Sequence, residues 1–243
     1  MKPTCPLCGA ASVEDFHHDK RRRYLRCNIC ALVYADPASH LSPEEEKARY
    51  DLHENDPDDP EYRQFLRRLA DPLTERLAEM PGRRPLRGLD FGSGPGPTLT
   101  IIMEERGFTM AIYDPYFAPD PAVLDRHYDF VTCTETLEHF YTPAREWQLL
   151  LSLVKPGGRL GIMTGLLEDA GSFGTWYYKE EETHVCFFSR ATFHYLAARD
   201  GLGVEFIGKD VILLQIPGAD ACGIEDPEDT APRRCPQDCP DPR

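Results

Sequence analysis

The sequence lacks any long hydrophobic run; its apolar stretches, such as Val211 to Leu214, are only a few residues long. A helix needs about 20 consecutive apolar residues to cross a bilayer, so we expect no membrane-spanning segment. No apolar leader follows the first residues either, which predicts a cytoplasmic location. Basic side chains are also scarce: 27 Lys and Arg stand against 41 Asp and Glu, and the net charge is −14. Such a surface repels phosphates, which disfavours a broad nucleic-acid interface.

Nine cysteines are present, but the chain is too long for the disulfide framework of a small secreted domain. Four of them form two Cys-x-x-Cys steps, Cys5 with Cys8 and Cys27 with Cys30, separated by eighteen residues. This spacing is typical of a zinc ribbon, in which two tight knuckles bring four thiolates to a tetrahedral Zn²⁺. Four protein ligands leave no position for a substrate, so the predicted role is structural. Iron in a rubredoxin-like site is the alternative metal.

Two further features lie between the knuckles. His17 and His18 are interpreted as loop residues, because four thiolates already complete the ligand set. The basic run from Lys20 to Arg23 is predicted to be the solvated tip of a hairpin, since charge runs usually face solvent. Contact with a phosphate-bearing substrate is the alternative interpretation of this run.

Composition divides the chain into four regions: a zinc ribbon at 1–36, a helical connector at 37–84, a body at 85–217 and an acidic tail at 218–243. The tail is rich in proline and charge, so we expect it to be disordered. Strands and helices alternate in the body, which predicts an α/β fold with a mainly parallel sheet covered on both faces. Capping residues predict helix starts after Ser42, Asp59, Thr142 and Ser189. Two apolar runs near the end of the body predict a closing antiparallel hairpin.

A glycine-rich loop follows the first strand of the body, with Asp90 two residues before the series Gly92, Gly94 and Gly96. A dinucleotide fingerprint requires its third glycine three residues after the second, and that position is Pro97. The loop instead suits a ligand that carries an ammonium group and no phosphate. Glycine lets the backbone approach such a ligand closely, and the carboxylate compensates its positive charge.

A second acidic residue, Asp114, stands twenty residues beyond Gly94, at the end of the second strand of the body. A carboxylate in this position can accept hydrogen bonds from both hydroxyls of a ribose. The glycine loop and this acid together therefore predict binding of an unphosphorylated nucleoside.

Four segments in this order resemble the motifs of class I methyltransferases: Asp90 to Gly96, Asp114, Tyr128 to His139, and Leu153 to Leu160. The resemblance implies a Rossmann-like fold with a mainly parallel, seven-stranded type of sheet. It also implies S-adenosylmethionine as cofactor, lying across the carboxyl ends of the strands. The residues that it implies for cofactor binding are Asp90, Gly92, Gly94, Gly96, Asp114, Tyr116, Thr132, Cys133 and Thr134.

Methyl transfer from a sulfonium is an in-line displacement, so the enzyme must align donor and acceptor and remove a proton from an O–H, N–H or C–H acceptor. Histidine is the side chain best matched to this task near neutral pH. His184 is the first candidate, because its Thr-His-x-x-Phe-Phe-Ser segment resembles one in many small-molecule methyltransferases. His139 and Glu135 are the other candidates. A packing role for His184 is the alternative.

The sequence thus predicts an S-adenosylmethionine-dependent methyltransferase with a small-molecule acceptor and a structural Zn²⁺. One alternative is an RNA methyltransferase that uses the basic run, since zinc ribbons also occur on some methyltransferases of ribosomal RNA. Another is a protein that binds S-adenosylmethionine without catalysis and uses the ribbon for partner contacts. The acceptor atom and the oligomeric state do not follow from the sequence.

Overall fold

The computed structural model describes residues 3–52, 55–80 and 85–218, which form ten strands and five α-helices. The strands are β1 (Val13–His18), β2 (Arg23–Cys27), β3 (Val33–Ala35), β4 (Arg87–Phe91), β5 (Thr109–Tyr113), β6 (Tyr128–Thr134), β7 (Val154–Met163), β8 (Cys186–Phe187), β9 (Gly203–Ile207) and β10 (Val211–Gln215). The helices are α1 (Pro43–Tyr50), α2 (Pro60–Ala78), α3 (Thr98–Glu105), α4 (Pro143–Leu153) and α5 (Arg190–Asp200).

The main sheet has six strands within the described ranges, in the order β5-β4-β6-β7-β10-β9. The pairs β5-β4, β4-β6 and β6-β7 are parallel, and β10 pairs antiparallel with both β7 and β9. This arrangement confirms the Rossmann-like α/β fold and its closing hairpin. Helices cover both faces, because α2 and α3 pack in one buried cluster and α4 and α5 in another.

The strand count differs from the seven-stranded type. After β5 the chain contains Pro115, Pro119 and Pro121, which lack the N–H group that a sheet ladder needs. This stretch forms a single bridge between Asp114 and Ala118 and then a 3-10 turn at Pro121–Val123. Turns therefore take the place of a regular strand in this proline-rich stretch.

The helix boundaries follow the predicted capping residues. Ser42 and Ser189 each form a capping box, and Asp59 accepts a hydrogen bond from the Glu61 N–H. Thr142 also stands at a helix start, although its side chain makes no capping hydrogen bond. The caps at Ser42, Asp59 and Ser189 each satisfy an N–H group that has no partner within the helix.

The N-terminal strands form a second, antiparallel sheet in the order β1-β2-β3-β8. Its last strand comes from the body: Val33 pairs with Phe187 and Tyr34 with Cys186. The buried residues of this sheet belong to the same hydrophobic cluster as α4, α5 and the main sheet. The N-terminal region is therefore packed into the body over a shared core.

Parts of three predicted regions lie outside the described residues: 1–2 of the zinc ribbon, 53–54 and 81–84 of the connector, and 219–243 of the tail. Within the ranges given above, no helix is both long enough and apolar enough to cross a membrane.

Candidate active site

A cavity of about 840 Å³ lies at the carboxyl ends of β4, β5 and β6. Its lining comes from the loops that follow these strands, from α1 and from residues of the 177–184 segment. In open α/β sheets, ligands bind in the crevice at this edge of the sheet. The volume falls in the upper part of the range for small-molecule sites, so a donor and a second small molecule can share it.

The glycine loop after β4 requires its glycines for backbone shape and for packing. Gly92 and Gly94 have φ angles of +80° and +63°, in the left-handed region that favours glycine. A Cβ atom on Gly96 would lie 1.9 Å from the backbone oxygen of Asn55. All three glycines line the cavity, and at Gly96 the backbone of Asn55 packs directly on the loop.

Asp90 ends β4 beneath this loop and is only 3% exposed. Its carboxylate accepts hydrogen bonds from Thr132 Oγ1 at 2.8 Å and from Thr100 Oγ1 at 3.4 Å. Burial raises the pKa of Asp90 to about 6, because the charged form loses its hydration. A cationic ligand group in the cavity would oppose this shift, so the site suits a positively charged ligand.

Two residues that the family resemblance implied for cofactor binding do not line the cavity. Thr132 is fully buried and holds Asp90, while Cys133 lies in the cluster on the α4 and α5 side of the sheet. Side chains alternate between the two faces of a strand, so adjacent residues of β6 cannot both face one ligand. Of the three residues implied in β6, Thr134 at its end lines the cavity.

Asp114 is 8% exposed and organises the neighbouring loops. Its Oδ2 accepts a hydrogen bond from the Gly94 N–H at 3.0 Å, and its Oδ1 accepts from the N–H groups of Tyr116 at 2.8 Å and Phe117 at 3.0 Å. A carboxylate has about four acceptor positions, so Asp114 keeps capacity for a ligand hydroxyl.

Glu46 of α1 is a buried carboxylate of the cavity that the sequence interpretation missed. It accepts hydrogen bonds from Tyr50 Oη at 2.8 Å and Tyr116 Oη at 2.9 Å. The Tyr50 ring in turn meets His139 edge-on, with centroids 5.3 Å apart. From the sequence, the spacing of four residues predicts that Glu46 and Tyr50 share a face of the helix. No local pattern predicts that this face borders the cavity, which is why Glu46 was missed.

His139 and His184 lie side by side in the cavity lining, with ring centroids 4.8 Å apart. The His184 Nδ1 is 2.7 Å from the Tyr178 carbonyl oxygen, and the His139 Nδ1 is 3.1 Å from the Thr183 carbonyl oxygen. A carbonyl oxygen only accepts, so each Nδ1 carries the proton and each Nε2 is an acceptor. Burial lowers the pKa of His184 to about 4, so its imidazole is neutral near pH 7.

Tyr178 and Glu138 lie beside this histidine pair, and Glu135 lies beside Tyr178. Tyr178 Oη donates to Glu138 Oε1 at 2.5 Å and also lies 3.5 Å from Glu135 Oε2. Burial, reinforced by the neighbouring Glu138, raises the pKa of Glu135 to about 9. Glu135 is therefore protonated near pH 7, which disfavours it as the proton acceptor. One carboxylate oxygen of Glu138 and one ring nitrogen of each of His139 and His184 lie within 4.8 Å of one another.

Replacement of Tyr178 with Phe is expected to lower the free energy of unfolding by about 1–3 kcal/mol. The variant keeps the ring but removes the donor to Glu138 and the acceptor of the Gly165 N–H. Urea denaturation measures the change. Tyr177→Phe is the matched control, because its side chain is 78% exposed and should alter stability by less than about 0.5 kcal/mol. Equal stability of the two variants would contradict the role given to the Tyr178 hydroxyl.

The four N-terminal cysteines converge as their spacing predicts. The Sγ atoms of Cys5 and Cys30 are 3.5 Å apart, as are those of Cys8 and Cys27, and all four lie within 4.8 Å of one another. Four sulfurs bound at about 2.3 Å in a tetrahedron are about 3.8 Å apart. The donor set and its spacing therefore fit a tetrahedral metal ion.

The basic run does not form a solvated tip throughout. Arg22 is 7% exposed and its guanidinium donates to backbone carbonyls of the 179–184 segment. Arg21 pairs with Glu182, and Arg23 pairs with Asp15 and Asp36. The prediction of an exposed tip is wrong for Arg22, because the hairpin folds back onto the body.

Comparison with known proteins identifies the family. Residues 62–205 match the model of a family described as a methyltransferase domain, which is more than half of the chain. The ubiquinone biosynthesis O-methyltransferase of Aeromonas salmonicida (strain A449) is 32% identical over 90 residues, which cover 36% of this chain and 38% of the relative. The enzyme of the same name from Serratia proteamaculans (strain 568) is 33% identical over 90 residues, covering 36% of this chain and 37% of the relative. The chain thus spans less than two fifths of the length of these curated relatives.

Among solved structures, the fold resembles that of a Burkholderia thailandensis 1,6-didemethyltoxoflavin-N1-methyltransferase with bound 1,6-didemethyltoxoflavin and S-adenosylhomocysteine. The TM-score is 0.50 at 15% sequence identity, and the match covers 84% of this chain and 99% of the other. Because this family model matches more than half of the chain, the chain belongs to the methyltransferase domain family.

Proposed function

We propose that this chain is a class I S-adenosylmethionine-dependent methyltransferase that methylates a hydroxyl group of a small molecule, with His184 as the proton acceptor. The observation that carries the proposal is the hydrogen bonding of the His184 imidazole, which fixes which ring nitrogen carries the proton. Its Nδ1 donates to the Tyr178 carbonyl, which leaves Nε2 as an acceptor in a residue that lines the cavity. A neutral imidazole held in one orientation can accept a proton from an approaching hydroxyl, and its lowered pKa makes it a weaker base than a free imidazole.

The donor-binding role is proposed for the residues around the glycine loop. Asp90 would face the ammonium group, the glycines would allow close approach of the methionine part, and Asp114 would accept a ribose hydroxyl at its remaining acceptor position. The Oγ atoms of Ser93 and Thr134 are buried without a hydrogen-bond partner among the described residues, so a polar ligand would satisfy them. Tyr116 adjoins Asp114 and is the proposed neighbour of the adenine.

Bound S-adenosylmethionine supplies an electrophilic methyl group. In the proposed reaction the acceptor oxygen forms a bond to this methyl carbon as the carbon–sulfur bond breaks, and the hydroxyl proton passes to His184 Nε2. The protein aligns the two reactants and holds the proton acceptor, and alignment accounts for much of the rate enhancement in such displacements. His139, with its ring against His184, is the alternative acceptor of the proton.

The charge of the cavity favours a neutral or cationic acceptor. Among the described lining residues Arg145 is the only Lys or Arg, against six Asp and Glu, of which Glu135 is protonated near pH 7. A phosphorylated or carboxylated acceptor would meet net repulsion there. Arg22 donates its hydrogen bonds to backbone carbonyls of this chain, so it is not available to contact the phosphates of an RNA acceptor. The relatives named O-methyltransferases support a hydroxyl acceptor.

Incubation of the enzyme with methyl-labelled S-adenosylmethionine and a cell extract tests this proposal. We expect label in small, neutral or cationic products whose new bond is an ether. Label confined to RNA would favour the alternative acceptor, and label on nitrogen or carbon would contradict the hydroxyl assignment.

Zn²⁺ is the metal proposed for Cys5, Cys8, Cys27 and Cys30. Thiolate ligands in tetrahedral geometry suit both zinc and iron, and the ribbon-type spacing favours zinc. The four ligands close the coordination sphere, so the ion would stabilise the fold and would not contact the acceptor.

Replacement of Asp114 with Ala is expected to weaken S-adenosylhomocysteine binding by roughly 10- to 100-fold, since a hydrogen bond to a charged group contributes about 1.5–3 kcal/mol. The substitution removes the proposed ribose contact and frees the Gly94 N–H. Titration calorimetry measures the affinity. Asp120→Ala is the control, because this exposed carboxylate lies in the same loop outside the cavity. Unchanged affinity in Asp114→Ala would remove the residue from the ribose role.

A further inference from the structure

Arg22, in the hairpin between β1 and β2, is buried against the segment that carries His184. A guanidinium presents five N–H donors in a fixed planar fork, so one side chain can hold several carbonyl oxygens in a set geometry. Here the fork donates to the carbonyls of Lys179, Glu181 (3.2 Å), Glu182 (3.2 Å) and His184 (2.8 Å).

The segment held in this way sets the orientation of both histidines. It runs from a 3-10 turn at Tyr177–Glu180 to β8, with little regular structure between them. The Tyr178 carbonyl accepts from His184, and the Thr183 carbonyl accepts from His139. A displacement of this backbone would therefore move both imidazoles.

Other groups of the N-terminal region hold the tip and the segment together. Asp19 Oδ1 accepts hydrogen bonds from the N–H groups of Arg21 and Arg22, each at 2.8 Å, and its Oδ2 accepts from Lys179 Nζ at 3.1 Å. Lys179 is only 2% exposed. At the far side of the segment, the Ala35 N–H donates to the Val185 carbonyl at 2.9 Å. The hairpin is therefore folded onto the active-site segment at several points, with Arg22 making most of the bonds to its backbone.

We propose that Arg22 is a positioning residue for methyl transfer. The guanidinium holds the backbone of residues 179–184 and thereby places the His184 imidazole at the cavity. On this account the cysteine-rich region forms part of the active-site framework, beyond its role in binding a metal. The inference rests on the proposed function of His184 as the proton acceptor.

The test compares Arg22→Ala, Arg22→Lys and Arg21→Ala in the full chain with its metal bound. Arg21 is the matched control, because it is the adjacent, exposed arginine and its guanidinium makes an ion pair with Glu182. The first readout is NMR of protein labelled with ¹⁵N-histidine, in which the His184 signal is assigned by its loss in His184→Gln. The second is titration with S-adenosylhomocysteine, and the third is the rate of label transfer to a cell extract.

In both Arg22 variants we expect exchange of the His184 Nδ1 proton with water to accelerate by about tenfold or more, because the segment opens more often. Lysine keeps the charge but lacks the fork, so Arg22→Lys should resemble Arg22→Ala. Affinity for S-adenosylhomocysteine and metal content should stay at the wild-type values, while label transfer falls. Guanidinium at low concentration should restore part of the rate of Arg22→Ala, and Arg21→Ala should behave as wild type.

A wild-type His184 signal in Arg22→Lys overturns the proposal, and this conservative variant remains informative if Arg22→Ala fails to fold. A parallel loss of S-adenosylhomocysteine affinity also overturns it, because Arg22 would then support the fold as a whole. Failure of the proposed function is distinguishable: His184→Gln would keep full label transfer. The NMR comparison would still show whether Arg22 holds the segment.

Discussion

Replacement of His184 with Ala is expected to lower the rate of methyl transfer by roughly 10²- to 10⁴-fold, the usual contribution of a positioned acid or base. The proposed acceptor hydroxyl loses its proton to Nε2, and the variant retains no group at that position. Affinity for S-adenosylhomocysteine should be unchanged, since donor binding is assigned to Asp90, the glycine loop and Asp114. The measurement combines label transfer to a cell extract with calorimetric titration.

Two variants make this result specific. His18→Ala removes an exposed histidine of the N-terminal hairpin and should retain the wild-type rate. His139→Ala removes the neighbouring imidazole and should reduce the rate less than His184→Ala does. A larger loss in His139→Ala would transfer the proton-acceptor role to that residue. Full activity of His184→Ala would leave His184 with a packing role.

Removal of the proposed zinc ion is expected to unfold the N-terminal region. Metal binding contributes about 10–16 kcal/mol in isolated zinc-finger peptides, which exceeds the stability of most small domains. Cys5, Cys27 and Cys30 belong to the same buried cluster as the main sheet, so the thermal midpoint of the whole chain should fall as well. Metal analysis and calorimetric melting of Cys30→Ser, beside the wild type with and without a strong chelator, measure both effects.

Cys186→Ala is the control for this experiment. Its thiol is buried like that of Cys30, but it lies outside the quartet. It should keep its full metal content even where packing costs some stability. A wild-type protein that contains no metal and melts identically after chelation would contradict the proposed site. Iron in place of zinc would correct the identity of the metal but not its structural role.

Local chemistry explains which parts of the fold followed from the sequence. The capping boxes at Ser42 and Ser189 and the left-handed Gly201 at the end of α5 depend on residues within a turn of each other. The family resemblance implied that the glycine loop and Asp114 lie at the carboxyl ends of the strands, and the cavity lies there. These features required only short-range patterns and the resemblance of ordered motifs.

Features that depend on distant contacts did not follow. Arg22 meets carbonyls about 160 residues later in the chain, and no local pattern distinguishes it from the exposed Arg21 beside it. Glu46 faces the cavity only because α1 packs near the loop after β5. Thr132 and Cys133 do not line the cavity, because a motif includes both faces of its strand and only the sheet determines which face meets the cavity.

The most direct test of the account is calorimetric titration of the full chain with S-adenosylhomocysteine, alongside a nicotinamide dinucleotide. We predict a single site per chain for S-adenosylhomocysteine, weakened in Asp114→Ala and retained in His184→Ala, and no binding of the dinucleotide. Absence of S-adenosylhomocysteine binding, or a site insensitive to Asp114→Ala, would contradict the placement of the donor in this cavity.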